Sequence, residues 1–245
     1  MTASRITWRG WLLAALIAAA TLIMLGLGVW QLDRLGQRRA ENDVIRARLE
    51  APPVDLTQAP AADLPEYQRV RLHGTYDFSQ EIVLRNRAHL GSPGVRVLTP
   101  VRLSSTDAAV LVDRGWIPFT QAAPADRAPY QQPEGEVAVE GIVRPAQERE
   151  AAFLPADPTL SPELPRLDAW FRVDVGQIQD QVPYALLPYY VEADAGSDPQ
   201  ALPIGGYEVD LTDGPHLGYA VQWFAFALIL VVGSLAVWRQ QARRR

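Results

Sequence analysis

Two long apolar segments dominate the hydropathy pattern, one near each end of the chain. Residues 11–30 (WLLAALIAAATLIMLGLGVW) and residues 219–238 (YAVQWFAFALILVVGSLAVW) contain no charged side chain. At a rise of ~1.5 Å per residue, a helix of about 20 residues is about 30 Å long, which matches the hydrocarbon core of a bilayer. Neither segment has the polar face that a surface helix of a soluble protein shows. Both are therefore predicted to cross a lipid bilayer.

Aromatic residues flank both segments. Trp11, Trp30, Tyr219 and Trp238 lie at their ends, where membrane–water interfaces enrich such side chains. A cleaved signal peptide is an alternative for the first segment, because residues 18–20 are small. Its apolar stretch continues well beyond the 7–15 residues of a signal-peptide core, so an uncleaved anchor is favoured.

The pattern between the two spans changes from helical to alternating. Residues 31–50 carry a partial apolar stripe among charged residues, which predicts a helical stalk. Residues 51–65 are rich in Pro and Ala and predict a linker. Alternation then predicts strands, separated by Gly and Pro clusters, and proline-rich loops. The predicted strands are 67–76, 81–87, 95–103, 109–116, 137–143, 187–192 and 207–210; the loops are 118–133 and 152–165, and a short helix is predicted at 175–181.

The predicted fold class is two transmembrane α-helices flanking a mainly antiparallel β domain of the α+β type, a small barrel or sandwich. The domain organisation follows from the same pattern. It consists of a cytoplasmic tail (1–10), a first transmembrane helix (11–30), a helical stalk (31–50), an extracytoplasmic β-rich domain (51–214), a second transmembrane helix (215–238) and an arginine-rich cytoplasmic tail (239–245).

The distribution of charge predicts on which side of the membrane each part of the chain lies. All 28 acidic residues lie between Asp33 and Asp213, a region that also contains 17 arginines. The two tails contain only basic charges, so the positive-inside rule places both in the cytoplasm and the middle domain outside. The acidic middle domain argues against nucleic acid as a partner. The basic residues of the tails are Arg5, Arg9, Arg239, Arg243, Arg244 and Arg245.

Few residues offer catalytic or metal chemistry. The chain has no cysteine, which excludes disulfides, thiolate metal sites and covalent haem attachment. Glycine-rich phosphate loops, nucleophile elbows and zinc-protease motifs do not occur in the sequence. A hydrolase would need His73 or His89 to meet carboxylates in the fold, and both histidines are interpreted as solvated side chains. Enzymatic chemistry is thus left as an alternative without a motif to support it.

His216 is the histidine with the most informative position. It follows Asp213, Gly214 and Pro215, where Asp213 or Gly214 suits a helix N-cap and Pro215 the first helical position. The sequence therefore predicts His216 in the first turn of the second membrane helix, at the outer surface.

Aromatic residues are predicted around this histidine. Tyr219 and Trp223 share the helix face of His216, and Trp30 and Gln31 end the first span at the same depth. An imidazole among aromatic rings suits a haem iron ligand whose pocket stacks on a macrocycle. The alternative is an interfacial histidine that only bridges water and lipid.

Six sequence blocks, spaced along most of the chain, resemble those of one known family. They have the forms G-x-W-Q-x-x-R-L, an alternating strand pair, T-P followed by L-V-x-R-G-W-x-P, G-x-x-R, W-x-x-x-D and H-L-x-Y-x-x-x-W. They lie at residues 28–35, 70–87, 99–118, 141–144, 170–174 and 216–223. In their order they resemble the surfeit locus protein family of cytochrome c oxidase assembly factors, which includes the yeast Shy proteins. Gly214–Pro215 replaces an Asn-rich pair before the histidine, and residues 151–169 align poorly.

The resemblance implies a non-enzymatic assembly factor in the bacterial cytoplasmic membrane, crossing the lipid bilayer twice. Its implied partners are subunit I of cytochrome c oxidase and haem a synthase, and its implied cargo is haem a. His216 matches the family's proposed axial ligand of the haem iron, with Trp30, Gln31, Tyr219 and Trp223 as pocket residues. Arg114, Gly115 and Trp116 are interpreted as structural. A protein-only scaffold and a membrane-tethered hydrolase are the alternatives.

Overall fold

The structure is a computed structural model that describes residues 8–57, 63–133, 135–148, 156–198 and 200–243. Arg5, Arg244 and Arg245 of the predicted tails lie outside the described residues, as do parts of the predicted linker 51–65 and loop 152–165. The chain divides into two units. One comprises the residues up to Arg46 together with those from Asp210 onward, and the other comprises Ala47–Val209.

Two long helices, α1 (Trp8–Glu50) and α3 (His216–Arg243), account for most of the first unit. Each contains an apolar stretch long enough to cross a membrane, and very little of either stretch is buried against protein. The two apolar helices predicted at the ends of the chain are thus confirmed. Helix α1 continues without a break through residues 31–50.

The described residues of the second unit form eight strands and one short helix. The strands are β1 (Val54–Asp55), β2 (Arg69–Tyr76), β3 (Ile82–His89), β4 (Ser92–Leu103), β5 (Ala109–Pro118), β6 (Glu136–Pro145), β7 (Ala169–Trp170) and β8 (Leu186–Ala193), and the helix is α2 (Val175–Gln179). Three short 3₁₀ turns follow β5, at Phe119–Gln121, Pro124–Asp126 and Ala128–Tyr130.

The sheet closes on itself to form a barrel. Its strand order is β1-β2-β6-β8-β5-β4-β3-β7, and an additional β2–β4 pairing joins β2, β6, β8, β5 and β4 into a ring. Most pairings are antiparallel, whereas β1–β2, β3–β7 and β5–β8 are parallel. The predicted mainly antiparallel domain is therefore confirmed, and of the two expected forms it is the barrel.

The apolar core lies on both faces of the ring strands. Alternate residues of all five strands, such as Val70, Val101 and Val112, are fully buried in one cluster inside the barrel. Leu111 points to the opposite face, where the fully buried Trp170 and neighbouring apolar residues cover the sheet. Because both faces of β5 are covered, nearly all of its residues are buried and the strand is largely apolar.

A β-bulge in β5 shapes one side of the barrel. Val97 of β4 pairs with Gly115, whereas the next residue, Leu98, pairs with Asp113, so Arg114 is the additional residue. Bulges change the direction of a side chain. Gly115 has φ +128°, and a Cβ atom there would lie 2.2 Å from the carbonyl oxygen of Ile204. This position therefore requires glycine.

Two local predictions are wrong. Residues 51–65 are not simply a linker, because Val54–Asp55 pairs with β2 and Leu56 is fully buried in the barrel. Residues 207–210 are not a strand. Gly206, with φ +93°, turns the chain after the isolated bridge between Ile204 and Trp116, and the following residues leave the sheet.

We expect the substitution Gly115→Ala to lower the free energy of unfolding by about 2 kcal/mol or more, because it adds left-handed backbone strain and a clash. Gly196→Ala is the matched control, since a Cβ atom there meets no atom within 4 Å and the backbone φ is ordinary. Thermal unfolding of the full chain in detergent would measure both. Equal melting temperatures for the two variants would contradict the requirement for glycine at position 115.

Candidate functional site

His216 is the first residue of α3, and its ring is held by α1. Its Nδ1 atom lies 2.9 Å from Oε1 of Gln31. Because an amide oxygen only accepts, Nδ1 donates its proton, and the lone pair of the neutral ring is then on Nε2. Nε2 has no hydrogen-bond partner among the described residues. This is the arrangement in which protein histidines ligate metals, with one nitrogen fixed by a hydrogen bond and the other open.

Gly214 borders the open edge of the imidazole. Its φ is +67°, and a Cβ atom there would lie 3.5 Å from Cδ2 of His216 and 3.7 Å from Nε2. Glycine therefore permits the turn into α3 and also leaves space beside the nitrogen that could bind a ligand.

Helix α3 begins one residue later than predicted. Pro215 precedes the helix and its carbonyl accepts the N–H of Tyr219, at 3.1 Å. The side chain of Asp213 does not cap the helix. Its Oδ2 atom instead accepts from Nε of Arg39 at 2.9 Å and from Nη2 at 2.7 Å. The hydrogen bond with Arg39 lowers the pKa of Asp213.

Trp30 lies in the middle of α1, and Tyr219 and Trp223 lie near the start of α3, but none of the three forms a ring contact with the imidazole. Trp30 and Tyr219 are about half exposed, at 52% and 48%. Trp223 is partly buried and contacts Phe226 edge to face, with ring centroids 6.1 Å apart. Of the predicted pocket residues, Gln31 forms a hydrogen bond with His216, whereas Trp30 and Tyr219 remain exposed.

The contact between α1 and α3 follows a seven-residue spacing along α1. The buried residues of α1 are Gly28, Leu35 and Asn42. A Cβ atom on Gly28 would lie 2.6 Å from a ring carbon of Phe224, so only glycine fits there without a shift. A seven-residue spacing keeps one face of a helix against its partner, as in coiled coils. Gln31 lies on this face, one turn after Gly28.

Polar residues of α1 fix the segment that leads into α3. Nδ2 of Asn42 donates to the carbonyl oxygens of Leu211, at 2.9 Å, and Thr212, at 3.1 Å. Arg38 donates to the carbonyl oxygen of Asp210, at 2.9 Å. Sequence reasoning missed these contacts; the signal that could have indicated them was an Asn seven residues after Leu35.

A second polar cluster lies in the barrel unit. Oε2 of the buried Glu81 accepts from Oγ1 of Thr99, at 2.8 Å, and from Nη1 of Arg114, at 3.2 Å. Burial raises the pKa of Glu81, and the Thr99 hydrogen bond and two arginines oppose this shift. The guanidinium of Arg114 also lies over the rings of Tyr76 and Phe78, 4.9 and 5.2 Å from their centroids. The bulge in β5 thus places Arg114 in a buried polar contact.

The other two histidines show no catalytic arrangement. His73 lies on the outward face of β2, where its backbone N–H donates to Oγ1 of Thr57 at 3.1 Å. His89 ends β3, with its ring 5.5 Å from that of Trp116. Within the described part of the chain, neither imidazole forms a hydrogen bond or an ion pair with a carboxylate. The geometry that the hydrolase alternative needs is therefore not found there.

These features define a class of protein with a β-barrel domain, an apolar helix long enough to span a membrane at each end, and a histidine held by glutamine where the second helix begins. Comparison with known proteins identifies the family. Residues 18–228 match the model of the SURF1 family, so the chain belongs to this family. The resemblance inferred from the sequence blocks is confirmed.

Named relatives cover most of the chain. A SURF1-like protein of Monosiga brevicollis is 33% identical over 235 residues, which cover 91% of this chain and 84% of the relative. Surfeit locus protein 1 of Xenopus tropicalis is 30% identical over 230 residues, with 87% and 70% covered. A bacterial SURF1-like protein, from Rickettsia felis, is 26% identical over 216 residues, with 86% and 89% covered.

The close approach at Gly28 can be tested with a pair of leucine substitutions. We expect Gly28→Leu to destabilise the helix pair by about 1–3 kcal/mol, because the added side chain overlaps Phe224. Gly26→Leu is the control, since a Cβ atom there meets no atom within 4 Å. Thermal unfolding in detergent would measure both variants, and a melting temperature unchanged in both would argue against the contact.

Proposed function

We propose that this protein assists the assembly of cytochrome c oxidase by holding haem a at His216 and passing it to subunit I. Membership of the SURF1 family supports a role in oxidase assembly. The observation that carries the haem proposal is the hydrogen bond between His216 Nδ1 and Gln31, which leaves Nε2 open as a ligand.

The residues at this site fit a haem better than a bare metal ion. Among the described residues, no group of three or more His, Cys, Asp or Glu side chains could hold an ion. A haem supplies the equatorial nitrogen ligands itself, so one imidazole suffices as an axial ligand. The exposed rings of Trp30 and Tyr219, and Trp223 on α3, would provide apolar surface for the macrocycle.

A single protein ligand also suits a transfer function. Affinity that depends on one axial bond is modest, and the cargo can then leave for a site with more ligands. In this proposal haem a synthase is the donor and subunit I the acceptor, and the lipid bilayer shelters the isoprenoid tail. The basic tails support a topology with both termini in the cytoplasm, and with His216 at the outer surface of the bacterial cytoplasmic membrane.

The first test is haem content. We expect His216→Ala to lose most of the haem that co-purifies with the wild-type protein from cells that make haem a, because the axial ligand is removed. His89→Ala, a histidine of the barrel unit, should retain it. Absorbance spectra normalised to protein would measure both. Equal haem in all three proteins would overturn His216 as the ligand.

The same variant separates haem delivery from a protein-only scaffold. In a host that lacks its own copy of this gene, a scaffold would not need the imidazole. Full restoration of oxidase activity and of haem a in subunit I by His216→Ala would therefore favour the scaffold. If His89→Ala restores oxidase activity and His216→Ala does not, the result supports haem delivery.

A second test addresses Gln31. We expect Gln31→Leu to weaken haem binding by about tenfold or more, because metal-ligating histidines depend on their hydrogen-bond partners to this extent. Gln31→Glu should retain binding, since a carboxylate also accepts from Nδ1. The rate of haem loss to excess apomyoglobin would be measured for each protein. Equal rates for Gln31→Leu and the wild type would show that Gln31 does not position the ring.

A further inference from the structure

A cavity of about 270 Å³ lies in the barrel unit, apart from the residues used above for haem. It is lined by acidic, basic and apolar side chains, among them Phe78, Glu81, Pro124, Arg127, Arg166 and Asp168. A single water occupies about 30 Å³ in the liquid, so this space is larger than one bridging water needs.

Arg127 is the least satisfied group in this cavity. Its side chain is only 3% exposed, and its Nη2 atom pairs with the carboxylate of Asp168. Among the described residues, its buried Nη1 and Nε atoms have no hydrogen-bond partner, and Nε lies 3.7 Å from Oε1 of Glu81, which also has none. Buried donors without an acceptor are costly, and charged ones more so. Nη1 of this lining residue is therefore a charged donor for which the described residues supply no acceptor.

The charge around the cavity favours an anion. The lining contains two arginines, Arg127 and Arg166, and two carboxylates, those of Glu81 and Asp168. A third arginine, Arg114, pairs with Glu81 at 3.2 Å from outside the lining, so the arginines in and beside the cavity outnumber the carboxylates. Oε2 of Glu81 already accepts hydrogen bonds from Thr99 and Arg114. The guanidinium of Arg166 is held in place, because Nη2 donates to the carbonyl oxygen of Glu81 at 2.9 Å.

We propose that this cavity binds an oxyanion, a carboxylate or phosphate group, which accepts from Nη1 of Arg127 beside Arg166. Guanidinium groups form strong charge-assisted hydrogen bonds with both kinds of group. Phe78 and Pro124 add apolar surface for whatever carries the anion. The oxyanion proposal uses no residue of the haem site, so a test can contradict either proposal without affecting the other.

The probes are sodium acetate and sodium phosphate, titrated into the full chain in detergent at constant ionic strength set with chloride. Binding is read from the melting temperature and from line broadening of the acetate or phosphate NMR signal. We expect a saturable rise in melting temperature with at least one of the two anions. The response to acetate alone identifies a carboxylate site, and the response to phosphate alone identifies a phosphate site.

The variants Arg127→Gln and Arg166→Gln should weaken this binding about tenfold or more, because a charged hydrogen bond is lost. Arg102→Gln is the matched control. It removes one positive charge from an exposed arginine that stacks on Tyr184, outside the cavity. If Arg127→Gln does not fold, the half-buried Arg166 decides the question. No saturable binding beyond chloride in the wild type, or equal affinity in the folded cavity variants and the control, would overturn the proposal and leave a cavity filled by water only.

Discussion

The close approach of α1 and α3 at Gly28 is the constraint on which the candidate haem site depends. With Phe224 where a Cβ atom of residue 28 would be, the helix axes can lie near one another at this level. Gln31 follows one helical turn later on the same face, within 2.9 Å of His216. A larger residue at position 28 would overlap the ring of Phe224, so the ring or the helix that carries it would have to move.

The same face of α1 also fixes the helices along their length. Asn42 lies fourteen residues after Gly28, two repeats of the seven-residue spacing, and its amide binds two carbonyl groups of the chain just before α3. A polar residue buried in a helix seam selects one register, because any slip leaves its hydrogen bonds unmade. In this protein that register is the one that sets Gln31 opposite His216.

The sequence predicted the helices of this site well and their contact poorly. Uninterrupted apolar runs identify a membrane-length helix without any knowledge of its neighbours. The face of α1 that contains Gly28, Gln31, Leu35 and Asn42 does not stand out in a hydropathy pattern, because only Leu35 is strongly apolar. The seven-residue spacing of Gly28, Leu35 and Asn42 is visible in the sequence, but the partners of Gly28, Gln31 and Asn42 lie about 170 to 200 positions away in the chain.

The barrel, too, was predicted from the sequence only in part. Alternating runs located most of its long strands within a few residues, since a half-buried strand repeats every second residue, and a largely apolar run located β5. The two-residue strands β1 and β7 are too short to alternate, and closure through β2 and β4 depends on pairing between distant segments. Likewise, Glu81, Arg127 and Asp168 are separate in sequence and meet only after the sheet has closed.

Glycine at position 214 links the backbone to the chemistry of His216. The resemblance drawn from the sequence blocks implies an Asn-rich pair where this chain has Gly214 and Pro215. In the structure, φ is +67° at this position, a conformation that glycine adopts without strain and that asparagine tolerates better than most other residues. The substitution therefore preserves the turn into α3. It also removes a side chain from the edge of the ring where Nε2 is open, so the space for a ligand is larger than an asparagine would leave.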